Sequence, residues 1–239
     1  MKWTEKIKVN SHSEDYNEVV RPSDVMSYLQ EAANLQIHTF GPTYQDLLKE
    51  NRIFVVSRFA VNFIEPIHKY EELESETWSV ESTGYSFSRF HRLYRNGVKV
   101  CEAESIWALV DIETYRPCRA TEFKPNYEQD ERIDIGMPIR MKLPQTGEME
   151  YLGDHRVSYY ETDLNHHMNN TKYADLLCDY IDMDGRRVQK VLISYLNQAP
   201  LHETIKIYRN VVDQNTVGFR TLRTDGKTNI EATITTTKL

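Results

Sequence analysis

Eight consecutive residues carry the densest chemistry in this chain: Asp163-Leu164-Asn165-His166-His167-Met168-Asn169-Asn170. A carboxylate, a carboxamide and an imidazole fall at alternate positions, Asp163, Asn165 and His167. A helix follows. Its apolar residues Tyr173, Leu176, Leu177 and Tyr180 are spaced i, i+3, i+4, i+7, which predicts a helix from about Asn170 to Tyr180. Asn169 and Asn170 are suited to cap it. Polar groups before a helix N-terminus sit where free N–H groups and the helix dipole favour developing negative charge. A base, an amide donor and an oxyanion-friendly backbone together suit attack on a carbonyl. The same residue types also make ordinary caps, so the run alone does not separate chemistry from capping.

The elements that position this run form a repeat. In the first half, Met26, Leu29, Ala33, Ile37 and Phe40 mark one face of a helix over about 22–40, opened by Pro22-Ser23 and stopped by Gly41-Pro42. Four β-rich segments follow: Ile53–Ile64, Leu73–Ser82, Tyr85–Tyr94 and Val98–Ile112. The second half repeats the plan with Lys190–Asn197, Thr204–Val212, Val217–Arg223 and Asn229–Thr237. Asn96-Gly97 and Asp225-Gly226 are hairpin turns at matching places, each followed at the same offset by Glu-Ala. The reading is α+β, two tandem βαββββ units, each a helix wrapped by a curved antiparallel sheet. The expected boundaries are 1–120 for the first unit, 121–152 for a Pro- and Gly-bearing linker that crosses between the halves, and 153–239 for the second unit. The loop before the first-half helix, Tyr16-Asn17-Glu18-Val19-Val20-Arg21-Pro22, carries no Asp-x-Asn-x-His pattern. The second half is therefore expected to hold the chemistry and the first half the tail of the substrate.

Composition narrows the classes. The chain has 239 residues, 40% hydrophobic and 27% charged, with net charge −7 from 29 basic and 36 acidic residues. That balance argues against a general nucleic-acid binder. No apolar run nears the roughly 20 residues of a membrane helix. Three widely spaced cysteines, Cys101, Cys118 and Cys178, suggest neither a disulfide framework nor a metal site, and fit a reducing cytoplasm. No secretory signal is legible in the charged N-terminus.

With those residues in place, the whole chain resembles the acyl-ACP thioesterases, double hot-dog enzymes that release fatty acids from acyl carrier protein. The matching pattern is Asp163-x-Asn165-x-His167-x-Asn169-Asn170-x-x-Tyr173, with the Arg89–Ala103 hairpin, Trp107 and Tyr115-Arg116-Pro117. With no transit segment before the first strand, a bacterial-type member is expected. The resemblance implies hydrolysis of a medium- or long-chain acyl-ACP without cofactor or metal. Asp163, Asn165, His167 and Gln198 would be catalytic. Asn169 and Asn170 would bind substrate, and the stripe Met26, Leu29, Ala33 and Ile37, ordinary core by default, is expected to line the acyl tunnel through Met26, Leu29 and Ala33. Where the family often carries Tyr-x-x-Glu-Cys, this chain reads Tyr195-Leu196-Asn197-Gln198-Ala199, which removes a thiol nucleophile and a carboxylate. Cys178 is expected to be a small buried residue.

Other readings stay open beside it. One is an acyl-CoA thioesterase. Another is a hydratase or dehydratase of the same fold, although those carry Asp-x-Asn-Pro-x-His and this chain has His166 directly after Asn165. A third is a non-catalytic acyl-binding module. The basic runs Arg89, His91, Arg92, Arg95 and Arg186, Arg187, Lys190 are expected on solvated faces or as docking patches for the acidic carrier protein. Pairing of the two units within one chain allows a monomer, and a homodimer is also possible.

Overall fold

The computed structural model describes residues 1–123 and 125–239. Strand β1 (Trp3–Lys8) leads into helix α1 (Pro22–Phe40), the short helix α2 (Tyr44–Lys49), and strands β2 (Arg52–Phe63), β3 (Glu72–Ser79), β4 (Phe87–Arg95) and β5 (Val98–Asp111). The second unit runs β6 (Glu150–Arg156), α3 (Lys172–Cys178), β7 (Arg186–Tyr195), β8 (Thr204–Val211), β9 (Thr216–Leu222) and β10 (Thr228–Lys238). All ten strands form one sheet in the order β1-β3-β4-β5-β2-β7-β10-β9-β8-β6. Each unit contributes five strands in equivalent order, and the units join where Arg58–Asn62 of β2 pair antiparallel with Lys190–Ser194 of β7. This is the tandem double hot-dog.

Local chemistry explains the elements. Proline opens α1, where a missing N–H costs nothing, and Gly41 ends it at φ +66°, a conformation glycine adopts freely. Thr43 and Asp46 cap α2 reciprocally. The apolar face of α1 enters the main core, where Met26 and Leu29 pack with Phe59, Leu93, Tyr173 and Leu177. The two helices meet at Ser23, whose N–H donates to Asp175 Oδ1 at 3.1 Å.

Three expectations change. Helix α3 is shorter than predicted and starts at Lys172, because Asn169 closes a turn ahead of it instead of capping it. Residues 150–152, expected in the linker, belong to β6, with Glu150 opposite Arg209 and Tyr151 opposite Tyr208. The crossing segment is also more than a connection. Ile133, Ile135, Met137, Ile139 and Met141 alternate along it and pack on Ala60, Trp78, Val80, Phe90 and Leu192 across the β2–β7 seam. Trp78 Nε1 donates to the Glu131 carbonyl at 2.8 Å and holds the segment there.

Candidate active site

The Asp163–His167 run forms a tight loop closed by an antiparallel bridge between Thr162 and Met168. Asp163 N–H donates to the His167 carbonyl at 3.1 Å and His166 N–H to the Asp163 carbonyl at 3.0 Å. Asn165 N–H donates to Asp163 Oδ1 at 2.8 Å, an Asx turn. His166 takes φ +62°, a left-handed conformation that His tolerates better than branched residues. The loop is stitched to the segment after β7. Met168 N–H donates to the Ala199 carbonyl at 2.8 Å, and Leu201 N–H to the His166 carbonyl at 3.2 Å. Behind it lies Glu161, buried, its carboxylate accepting from Ser158 N–H at 2.7 Å and facing His155 Nε2 at 3.0 Å.

At the helix end, Asn169 Oδ1 accepts from Thr171 N–H at 2.9 Å and from Thr171 Oγ1 at 2.8 Å. Asn169 N–H is itself engaged with the Glu161 carbonyl at 2.8 Å, so it is no free oxyanion donor. Asn170 N–H donates to no group among the described residues, while its carbonyl accepts from Tyr195 Oη at 2.8 Å. Tyr173 Oη accepts from Asn229 Nδ2 at 3.1 Å, and burial pushes the Tyr173 phenol pKa upward. Tyr173 therefore anchors α3 to the sheet.

A cavity of about 670 Å³ opens beside this loop. Asp163, Leu164, Asn165, Asn169 and Thr171 line it at one end. Ser27, Gln30, Asn34 and Ile37 form a stripe of α1 along its side, and Leu47, Phe54, Phe87, Trp107 and Phe123 form an apolar wall. Phe54 packs edge-on against Phe87 and Phe123, each with ring centroids 5.1 Å away. The stripe from Ser27 to Ile37 advances about 15 Å along the helix. The cavity joins the polar loop of the second unit to the apolar interior of the first.

The expected site residues divide. Asp163, Asn165, Asn169 and Ala33 line the cavity. Asn170 and the half-buried His167 adjoin it in the loop without lining it. Met26 and Leu29 do not face the cavity: both are fully buried core residues, because they point to the sheet side of α1. Gln198 is exposed, its carbonyl accepting from Arg223 Nη1 at 3.1 Å. Phe54 and Phe87 escaped the sequence reading, and Trp107 entered it only through the resemblance, not as part of a cavity wall. The wall's signal was alternation, since Phe87 and Trp107 are direct cross-strand partners.

The basic runs are not solvated faces. Arg89 and His91 are 5% and 0% exposed. Burial, and then the neighbouring Arg89 charge, drive the His91 imidazole well below its usual pKa. Arg187 donates to the Phe63 and Ile64 carbonyls at 3.0 Å, and Arg186 to Thr236 Oγ1 at 2.9 Å, so both bind sheet ends together. Desolvation raises the thiol pKa of Cys101, Cys118 and Cys178, which removes the thiolate character a nucleophile needs. Among the described residues no group of three or more His, Cys, Asp or Glu is placed to hold a metal, and no helix is long and apolar enough to cross a membrane.

Comparisons with known proteins agree with this geometry. The profile of the acyl-ACP thioesterase N-terminal domain matches residues 1–124, and that of the C-terminal domain matches residues 145–238. Among solved structures, an acyl-ACP thioesterase from Bacteroides thetaiotaomicron superposes with TM-score 0.90 at 18% identity, over 99% of this chain and 98% of that one. The 12:0-ACP thioesterase of Umbellularia californica superposes with TM-score 0.85 at 16% identity, over 100% of this chain and 98% of that one. A search by sequence among curated proteins returns no match. The two profiles cover both repeats, each on its own unit, and the chain belongs to the acyl-ACP thioesterase family.

Proposed function

We propose that this thioesterase cleaves medium- or long-chain acyl-ACP with Asp163 as general base, the thioester carbonyl lying at the Asp163–Asn165 loop and the acyl chain in the first unit. The observation that carries this is the single cavity joining those two residues to the Phe54–Phe87–Trp107 wall. Asp163 keeps one oxygen on the Asn165 N–H and has the other for water. It takes the water proton as the water oxygen bonds to the carbonyl carbon. The resulting oxyanion accepts from the Asn165 carboxamide and from the Asn170 N–H. As the tetrahedral intermediate collapses, the C–S bond breaks and His167, which adjoins the cavity, protonates the leaving thiolate; the proton that Asp163 took from the water then returns through solvent to His167, which restores both groups. The products are a free fatty acid and the carrier protein's thiol. No covalent enzyme intermediate is required, in keeping with Ala199 and the raised thiol pKa values.

Joining of the units through β2 and β7 supplies within one chain the pairing that single units gain by dimerising, which favours a monomer. Three free cysteines suit a reducing compartment such as the cytoplasm. A thiol-release assay with acyl-ACP, acyl-CoA and enoyl-CoA side by side tests the reading. Acyl-ACP is expected to give the highest kcat/KM. Preference for acyl-CoA would replace the carrier protein as substrate, and hydration of enoyl-CoA without thiol release would replace the reaction.

A further inference from the structure

The cavity contains a cation that a plain hydrocarbon chain does not need. Arg89, on β4, lines it at 5% exposure. Its Nη1 donates to Gln36 Oε1 and, at 3.3 Å, to Thr77 Oγ1, and its Nη2 donates to Tyr127 Oη at 2.9 Å. All three partners are neutral. Glu31 and Asp163 are the carboxylates among the lining residues, and neither pairs with it. Arg95 of the same strand, by contrast, pairs with Glu71 at 2.8 Å. Arg89 pairs with no carboxylate among the described residues, and a buried guanidinium in that position carries a desolvation cost that neutral dipoles offset only in part. An alkyl chain pressed against it would displace water and return no hydrogen bond. Ser79, Ser88 and Gln129 also line the cavity, so Arg89 is part of a polar belt beside the apolar wall.

The belt lies away from the chemistry. Ser27 of α1 reaches Thr171 at the loop end, Oγ to Oγ1 3.4 Å, and Gln36 of the same helix holds Arg89. Between Ser27 and Gln36 the helix advances about 13 Å. We infer that the cavity takes acyl chains bearing an acceptor oxygen remote from the thioester (a hydroxyl, oxo or carboxylate group), bound by the Arg89 guanidinium and the Tyr127 hydroxyl. The inference rests on the thioesterase reading and names the substrate class of that site.

The test uses acyl-ACPs of equal length: unsubstituted, with a distal hydroxyl, with a distal oxo group, and with a terminal carboxylate. For wild type, kcat/KM for at least one oxygenated chain should exceed that for the unsubstituted chain by about tenfold or more, the scale of one hydrogen bond to a charged group. A carboxylate preference would indicate charge pairing, and a hydroxyl or oxo preference a dipolar contact. Arg89→Met should abolish the preference. Arg89→Lys and Tyr127→Phe read the same ratio should Arg89→Met not fold. An unsubstituted chain used as well as every oxygenated one, or a ratio untouched by these changes, would overturn the inference. Calorimetric titration with the free acids tests the belt without turnover. Tighter binding of an oxygenated acid, lost in the Arg89 variant, supports it even if thiol release fails, and equal binding of all the acids refutes it.

Discussion

The Asn165 N–H donates to Asp163 Oδ1 at 2.8 Å, so the residue that shapes the loop is also the proposed base. A carboxamide at position 163 would still offer Oδ1 to that N–H and keep the turn. Asp163→Asn should therefore fold with an unchanged melting temperature and lose about 100- to 10,000-fold in kcat, the range of a general base. Asp163→Ala should lose the same activity and also some stability, because the turn goes with it. Steady-state hydrolysis with thermal melts on both variants checks this. Near-wild-type kcat in Asp163→Asn removes Asp163 from the chemistry.

Asn165 uses its backbone in the turn and leaves its side chain free toward the cavity. Asn165→Ala should therefore leave the loop intact and cost on the order of 100- to 1,000-fold in kcat, as for one oxyanion donor. KM should change little, because the contact strengthens in the transition state. A loss under about threefold would return Asn165 to a structural role.

The repeat was legible because its punctuation is local. Pro22 and Gly41 bound α1, and Asn96-Gly97 turns β4 into β5 wherever the sheet lies. Arg89 was not legible. Its type predicts solvent, and only the packing of Gln36, Thr77 and Tyr127 from three distant segments makes its place buried. The crossing segment was half legible. Its prolines mark a connection, yet the alternation Ile133, Ile135, Met137, Ile139, Met141 is the period of a covering strip. Met26, Leu29 and Ala33 show the same limit: one apolar stripe, of which the rotation of α1 gives two residues to the core and one to the cavity.

Cysteine chemistry should be absent. Burial raises all three thiol pKa values, and Ala199 stands where the family often carries a cysteine. Cys101→Ser, Cys118→Ser and Cys178→Ser should each keep kcat/KM within about twofold per correctly folded molecule. Iodoacetamide should not inactivate the enzyme at neutral pH. Inactivation that substrate prevents and one of these changes abolishes would restore a nucleophilic thiol.

Acid stability should depend on His91. Its pKa is held well below 6.5, first by burial and then by Arg89. Between the native pKa and 6.5 the unfolded chain binds the proton that the native chain refuses. The stability associated with neutral His91 is thus fully present above pH 6.5 and is lost as pH falls from there toward the native value, by up to about 1.4 kcal/mol per pH unit. His91→Gln keeps a hydrogen-bonding group toward the Ser105 hydroxyl, now 2.9 Å from Nε2, and should flatten this slope. Denaturant melts from pH 7.5 to 5 on both proteins measure it. Equal slopes would assign the acid sensitivity to other groups.

Gln198 tests whether the segment after β7 takes part in the reaction. The stitching of Ala199 to Met168 brings its backbone beside the loop, but its side chain is exposed and outside the cavity lining. Unlike Asn165, it does not line the cavity, so Gln198→Ala should hold kcat/KM within about twofold, the scale of an ordinary surface change. Gln198→Glu should give the same pH profile as wild type, because water screens an exposed carboxylate and limits its effect on Asp163 to about 1 kcal/mol or less. The pH dependence of kcat/KM for wild type and both variants decides the matter. A tenfold loss in Gln198→Ala, or a displaced acid limb in Gln198→Glu, would mean that carrier-protein binding turns this segment inward and gives Gln198 the water.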